Sequence, residues 1–367
     1  MKKILSIALV LCMVLALGCT AFADDDVSVA MITDYGDITD QSFNQTTYEA
    51  CKAFADEKGL TFQYYKPASD SDEDRITSIE KAIDDGYTVI VMPGYAFGPA
   101  IQEVAPEYDD ITFIALDVSE GDIGDLAKDV PANLYCAVYQ EELCGYMAGY
   151  AAVKLGYTKL GFLGGMAVPA VVRYGYGFVQ GADAAAAELN LTDVEIKYAY
   201  GNQFYGDSDI TAYMDTWYAA GTEVVFACGG GIFTSAGEAA AKVGGKVIGV
   251  DVDQSKTIDA YGEGMTVTSA MKGLKATVNT LLTELVLNDN WSAYGGQVMT
   301  LGLVSGTDVE ANYTQIPFDT TQWSDSFTQD DYVALVGRMF SGEITVDGSQ
   351  DEFVPSTITL NRYDNIK

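Results

Sequence analysis

Thr88-Val89-Ile90-Val91-Met92-Pro93-Gly94 is an apolar run closed by a turn pair, and Ile111-Thr112-Phe113-Ile114-Ala115-Leu116-Asp117 is a second run of the same kind. Between them, residues 98–107 carry helical spacing and begin near Pro99, whose fixed φ suits a first helical turn. Strand, helix and strand in about 30 residues form a crossover unit, which joins parallel strands. Both runs are apolar along their whole length, as expected of strands covered on both faces. The stretch therefore predicts an α/β fold built on a parallel sheet.

The pattern extends in both directions. Upstream, Val27–Thr33 reads as a strand ending at Asp34, Gln45–Lys58 as a helix stopped by Gly59, and Leu60–Tyr65 as a strand. An acidic loop, Ser69–Asp74, leads into a helix from Arg75 to Asp85, and Ser71 with Asp74 three residues on resembles a capping box. Downstream, residues 118–133 are acidic and irregular. The alternation then restarts, with helices over 139–155, 170–189, 208–220 and 234–242. Strands are expected at Lys159–Leu163, Val194–Tyr200, Glu223–Ala227 and Lys246–Asp251. A strand over 266–272, a helix over 273–288 and a strand over 297–304 follow. The tail, 305–367, shows one helix near 329–341. Two successive α/β units of similar size result.

The chain has 367 residues, 20 basic and 53 acidic, for a formal net charge of -33. That balance opposes nucleic-acid binding, because phosphate contacts require Lys and Arg. It also favours a soluble monomer. An apolar content of 49% marks a globular chain, not a disordered one, despite the charge. No His is present, which removes Ser-His-Asp and Cys-His catalysis and every His-ligated metal site. Carboxylate-only chemistry remains open.

Residues 1–23 read as an export signal. Lys2 and Lys3 precede an apolar run from Ile4 to Leu17, and Ala21-Phe22-Ala23 forms a cleavage site before Asp24-Asp25-Asp26. The run is too short to span a membrane, which takes about 20 apolar residues. Cleavage after Ala23 is favoured; Gly18-Cys19 leaves lipid anchoring through Cys19 as the alternative. An extracytoplasmic location follows. Of the remaining cysteines, Cys51 and Cys228 are expected to be buried, and Cys136 and Cys144 are a candidate pair. No C-x-x-C occurs.

In open parallel sheets, ligands bind beyond the carboxyl ends of the strands. The residues there are Asp34-Tyr35-Gly36, Pro93-Gly94-Tyr95, Asp117, Gly164-Gly165-Met166, Tyr200-Gly201-Asn202, Cys228-Gly229-Gly230-Gly231, Asp251-Val252-Asp253 and Lys272. Gly admits a ligand close to backbone, Asp accepts from hydroxyls and amines, and aromatic rings stack on flat ligands. The phosphate-binding patterns G-x-x-x-x-G-K-[ST] and G-x-G-x-x-G are missing.

Asp34-Tyr35-Gly36-Asp37-Ile38-Thr39-Asp40-Gln41-Ser42-Phe43-Asn44 resembles the opening motif D-x-G-x-x-x-D-x-S-F-N of the basic membrane protein (BMP) family of ABC-transporter substrate-binding proteins. Gly145-Tyr146-Met147-Ala148-Gly149, Gly177-Phe178-Val179-Gln180-Gly181 and Gly249-Val250-Asp251-Val252-Asp253-Gln254 follow in the family's order, so the resemblance runs to about residue 290. The tail and the stretch Cys228–Phe233 follow it less closely. The resemblance implies a type I periplasmic-binding-protein fold, two Rossmann-like lobes joined by three crossings. Residues 24–136 with 256–296 would form the N-terminal lobe, and 137–255 with 297–367 the C-terminal lobe. It further implies a nucleoside ligand, with purine favoured, and an ABC permease as partner.

On that resemblance Phe43 looks like one stacking face. The other comes from the second lobe, as Phe204 or its neighbour Tyr205. Asn44 suits a base edge, Asp34 and Asp117 the base or ribose hydrogens, Asp251 and Lys272 the ribose, and Gly230 backbone contact. Asp40-Gln41-Ser42 reads as loop structure and capping, and Tyr174-Gly175-Tyr176-Gly177 as packing outside the site. No cofactor, metal or catalytic residue is expected. A carboxylate-based extracytoplasmic hydrolase acting on a nucleoside or sugar, and a sugar-binding or sensory protein of the same fold, are the alternative readings.

Overall fold

The computed structural model describes residues 27–34 and 36–367; the export segment and Cys19 lie outside the described residues. The first lobe begins with β1 (Ser28–Ile32), α1 (Phe43–Lys58), β2 (Thr61–Tyr65), α2 (Asp72–Asp84), β3 (Val89–Pro93), α3 (Gly98–Glu107), β4 (Thr112–Leu116) and β5 (Leu134–Tyr139). The second contains α4 (Glu141–Lys154), β6 (Lys159–Gly164), α5 (Pro169–Leu189), β7 (Glu195–Tyr200), α6 (Ser208–Ala219), β8 (Val224–Cys228), α7 (Phe233–Ala241), β9 (Lys246–Asp251), α8 (Ser255–Ile258) and β10 (Thr266–Lys272). The chain returns to the first lobe for α9 (Leu274–Val286) and β11 (Gln297–Leu301). It ends in the second with β12 (Thr314–Gln315), α10 (Gln329–Phe340) and β13 (Thr359–Arg362).

The strand order is β11-β5-β4-β3-β1-β2 in one sheet and β12-β10-β9-β8-β6-β7-β13 in the other. Every pairing is parallel except the short β10–β12 contact. Each sheet reverses its winding once, between β1 and β3 and between β6 and β8. The gaps at those two reversals are where a doubly wound sheet takes its ligand.

The crossings lie side by side. Gln140 N–H donates to Leu301 C=O at 2.9 Å, Tyr313 N–H to Gly302 C=O at 3.0 Å, and Gly273 N–H to Tyr313 C=O at 2.7 Å. This places the lobe boundaries at Gln140, Gly273 and Gly302, which corrects the expected division. Residues 256–272, expected in the first lobe, stay with the second, because β10 continues the parallel register of β9 with Ser269 opposite Gly249. Residues 297–301, expected in the second, pair with β5 in the first. Helix–strand alternation reports the order of elements but not which sheet a strand joins.

Two of the recognised glycine motifs are packing devices. A Cβ on Gly145 or Gly149 of α4 would strike the carbonyls of Tyr174 and Phe178 on α5, and one on Gly177 or Gly181 would strike those of Glu142 and Tyr146 on α4. The two helices therefore meet backbone to backbone. That contact fixes Glu141 at the start of α4, which lies against Lys272, and Tyr174 in α5, which borders the cleft. The four described cysteines are buried free thiols. Cys136 lies in the core of the first lobe and Cys144 in that of the second, so the pairing considered for them is absent.

Candidate functional site

The loop between β1 and α1 is organised by Asp40. Its carboxylate accepts from the N–H groups of Ser42, Asn44 and Gln45 at 2.9–3.1 Å and so caps α1. The expectation of a capping role there holds for Asp40. Ser42 differs: its hydroxyl makes no cap bond and donates instead to Asp251 Oδ2 on the other lobe, at 2.5 Å.

Asn44, at the first turn of α1, is 4% exposed. Its Nδ2 donates to Asp34 Oδ1 and Asp40 Oδ2, both at 3.2 Å. Both donor hydrogens are thus engaged, and Oδ1 is buried without a hydrogen-bond partner. Asp34 Oδ1 also accepts from Gly36 N–H at 2.5 Å. Burial pushes the Asp34 carboxyl up to about 6, against those two hydrogen bonds.

Lys272 ends β10, one residue before a crossing. Its ammonium lies 2.5 Å from Asp117 Oδ2, 3.5 Å from Asp251 Oδ1 and 3.6 Å from Glu141 Oε1. The Lys272 and Glu141 side chains are 3% and 0% exposed. Burial disfavours the charge, but the three carboxylates outweigh it and raise the Lys272 pKa. Asp117 is pushed up to about 6 by burial, and Glu141 and Asp251 add to this against the pull of Lys272. Asp117 Oδ1 is buried without a partner. The ammonium also sits over the rings of Phe43 at 4.6 Å and of Tyr139 and Tyr174 at 5.7 Å each. Glu141 in turn accepts from Arg173 Nε at 2.6 Å.

The second lobe contributes an aromatic ring on bare backbone. Phe204 follows β7 and lies against Gly165 after β6 and Gly229 after β8; a Cβ on either would come within 2.5 or 2.8 Å of the ring. Gly231 N–H donates to the Phe204 carbonyl at 2.8 Å, which fixes the loop. Tyr205 next to it is 62% exposed.

One cavity of about 750 Å³ lies between the lobes. It gathers Asp34, Phe43, Asn44, Asp117, Phe204, Gly230, Asp251 and Lys272 from seven places in the chain. Tyr205 also borders it, on the solvent side. The cleft is closed, with Ser42 on Asp251 and Gln254 Nε2 donating to the Gln41 carbonyl at 3.0 Å. Tyr174, expected to pack elsewhere, borders the cavity and donates to Asp251 Oδ1 at 3.2 Å. Glu141 and Arg173 are not among the residues expected from the sequence. They stand at and near helix starts, not strand ends, so the strand-end rule passes over them. Glu141 opens the helix straight after a crossing, a position that the three-crossing topology could have flagged. Among the described residues, no group of three or more Asp, Glu, Cys or His side chains is placed to hold a metal ion, and no helix is long and apolar enough to cross a membrane.

The model of a family described as ABC transporter substrate-binding protein PnrA-like matches residues 27–325. The chain is 27% identical over 309 residues to the ABC transporter nucleoside-binding protein BmpA of Lactococcus lactis subsp. cremoris, covering 79% of this chain and 83% of that one. It is 28% identical over 287 residues to basic membrane protein B of Borreliella burgdorferi, covering 76% and 79%. Among solved structures, an ABC transporter solute-binding protein from Aeropyrum pernix superposes with a TM-score of 0.67 at 20% identity, covering 88% of each chain. One from Conexibacter woesei gives 0.67 at 22%, covering 88% of this chain and 99% of the other. These two likenesses bear out the two-lobed solute-binding fold.

Proposed function

Because the chain belongs to the Bmp family of PnrA-like ABC-transporter substrate-binding proteins, we propose that it captures a nucleoside, preferably a purine nucleoside, between its lobes and hands it to an ABC importer. The observation that carries this reading is a cavity bordered by an aromatic ring from each lobe and by Asn44 and Asp117, each of which keeps one side-chain oxygen, Oδ1, buried without a partner. Buried acceptors without partners cost about 1–3 kcal/mol each, so a ligand that brings donors to these two side chains is favoured. A nucleoside brings N–H groups on a flat ring and hydroxyls on a sugar. Its base would stack between Phe43 and Phe204, with Asp34 and Asn44 at the base edge. The sugar hydroxyls would meet Asp117, Asp251 and Lys272, with Gly230 as backbone contact. A cavity of about 750 Å³ leaves ample room for a molecule of that size.

No histidine is present to act as base or shuttle, and Asp117, Glu141 and Asp251 are engaged by Lys272, Arg173 and Ser42, which supports capture over hydrolysis. The export segment at residues 1–23 supports action outside the cytoplasmic membrane, with or without a lipid on Cys19. The strongly acidic surface supports a monomer. The test is calorimetric titration of refolded mature protein with purine and pyrimidine nucleosides, free bases and pentoses. Nucleosides should bind, and Phe43→Ala should abolish most of the signal. Binding of pentoses alone would overturn the nucleoside assignment.

A further inference from the structure

Residues 326–367 lie beyond the stretch that the family model matches. After α10 the chain runs irregularly over residues 341–358 and then adds β13 in parallel beside β7. This strap is pinned to α5 at two places one helical turn apart. The Gln180 amide donates to the Asp347 carbonyl and accepts from Asp347 N–H, both at 2.9 Å. The buried Asp183 carboxylate accepts from the N–H groups of Ser356, Thr357 and Ile358 and from the Ser356 hydroxyl at 2.6–3.1 Å.

The segment between the anchors is held as well. Arg362 donates to the Phe353 carbonyl at 3.0 Å and pairs with Glu352 at 3.0 Å. Gly348 lies against the Glu142 carboxylate, where an added Cβ would come within 2.9 Å. Two residues on, Gln350 reaches the ligand cavity and borders it. Glu142 adjoins Glu141, which holds both Arg173 and Lys272. The strap therefore reaches the cavity past the start of α4, whose first residue, Glu141, pairs with Lys272.

We propose that Gln350 is a specificity-determining residue, its amide reading one hydroxyl of the ligand's sugar at the mouth of the cavity; this rests on the nucleoside reading above. A primary amide offers two donors and an acceptor, so it matches a hydroxyl in either sense. Because the strap is anchored at both ends, the amide is presented with little ordering cost on binding. The contact selects for an intact ribose and leaves the base unread.

The experiment is calorimetry of the mature protein and its Gln350→Ala variant with inosine, hypoxanthine, and 2′-, 3′- and 5′-deoxyinosine. Gln350 is exposed, so the variant keeps its fold. Gln350→Ala should weaken inosine about 3- to 10-fold, the worth of one neutral hydrogen bond. It should leave hypoxanthine and the analogue lacking the hydroxyl it reads unchanged. Equal affinity of wild type and variant for inosine and all three analogues would overturn the role of Gln350 alone. A wild type that binds none of these ligands would sink the nucleoside reading, and this inference with it.

Discussion

The first lobe meets the cavity with polar atoms already fixed, and the second with a ring laid on glycine. In the first, Asp40 caps α1, and Asn44 spends both hydrogens on Asp34 and Asp40, leaving its Oδ1 buried without a partner. In the second, Gly165 and Gly229 remove the side chains that would otherwise occupy the place of Phe204. One wall therefore carries side-chain polar atoms held by a capped loop, and the other a ring seated where glycines leave room for it. Between them sits Lys272, carried by the second sheet and paired with the first lobe's Asp117. Where the walls meet, the balance is electrostatic.

The largest effect should come from breaking that joint. Lys272→Met removes the cation and leaves Asp117, Glu141 and Asp251 facing one another in a buried space. Breaking a buried pair costs about 3–5 kcal/mol, to be read by urea unfolding, and nucleoside binding should vanish. The variant should regain stability as pH falls, because crowded carboxylates bind protons more tightly when folded than when unfolded. A variant as stable as wild type at pH 7 would mean that the three carboxylates do not depend on Lys272.

Next are the two rings. Phe43→Ala and Phe204→Ala should each cost about 1–3 kcal/mol in nucleoside affinity, roughly 5- to 150-fold in Kd by calorimetry. Phe43→Ala should be the more damaging, because its ring also lies under the Lys272 ammonium at 4.6 Å. Equal losses would show that the two walls contribute stacking alone.

The two walls also differ in how far the sequence discloses them. The motif from Asp34 to Asn44 is contiguous, so its strand, its cap and its aromatic residue are all legible without the structure. The alternation of β1 to β4 is equally plain, since apolar strands and glycine-stopped helices are local signals. β5 escapes such a reading because Leu134–Tyr139 follows an acidic irregular stretch, and β13 because its exposure leaves no apolar run. Glu141, Arg173 and Tyr174 lie outside the strand-end pattern by which the sequence discloses the other site residues. Arg173 and Tyr174 reach the cavity, and Glu141 reaches Lys272, through the backbone contact of α4 with α5, which joins residues about 30 positions apart by packing, not by pattern.

A pH comparison sharpens the polar wall. Asp34 and Asp117 are raised to about 6, and Glu142 to about 7, in each case chiefly by burial. A carboxyl raised above its unfolded value stabilises the fold at low pH and loses that contribution as pH rises through its folded value. The ligand-free protein should therefore melt higher at pH 5.5 than at pH 7, by about 2 °C or more, and Asp34→Asn should flatten the rise. Affinity should move the other way. Protonating Asp34 removes an acceptor, and one ionisation near 6 predicts about a 4-fold loss between pH 7 and 5.5. A melting temperature that falls over this range would mean that burial does not govern these carboxyls.

The smallest effects test the shape wall. A Cβ at residue 165 would come within 2.5 Å of the Phe204 ring, so the ring must shift in Gly165→Ala. Nucleoside affinity should drop by several-fold, with the hydrogen bonds of the first lobe intact. Tyr205→Ala removes a side chain that is 62% exposed. It should change Kd by less than about 2-fold, in keeping with a rim position. If Tyr205→Ala were instead the costlier of the two, the second stacking face would be Tyr205. Phe204 would then be a spacer that holds Gly165 and Gly229 apart, and the second lobe would close on its ligand with an exposed ring that becomes buried only on binding.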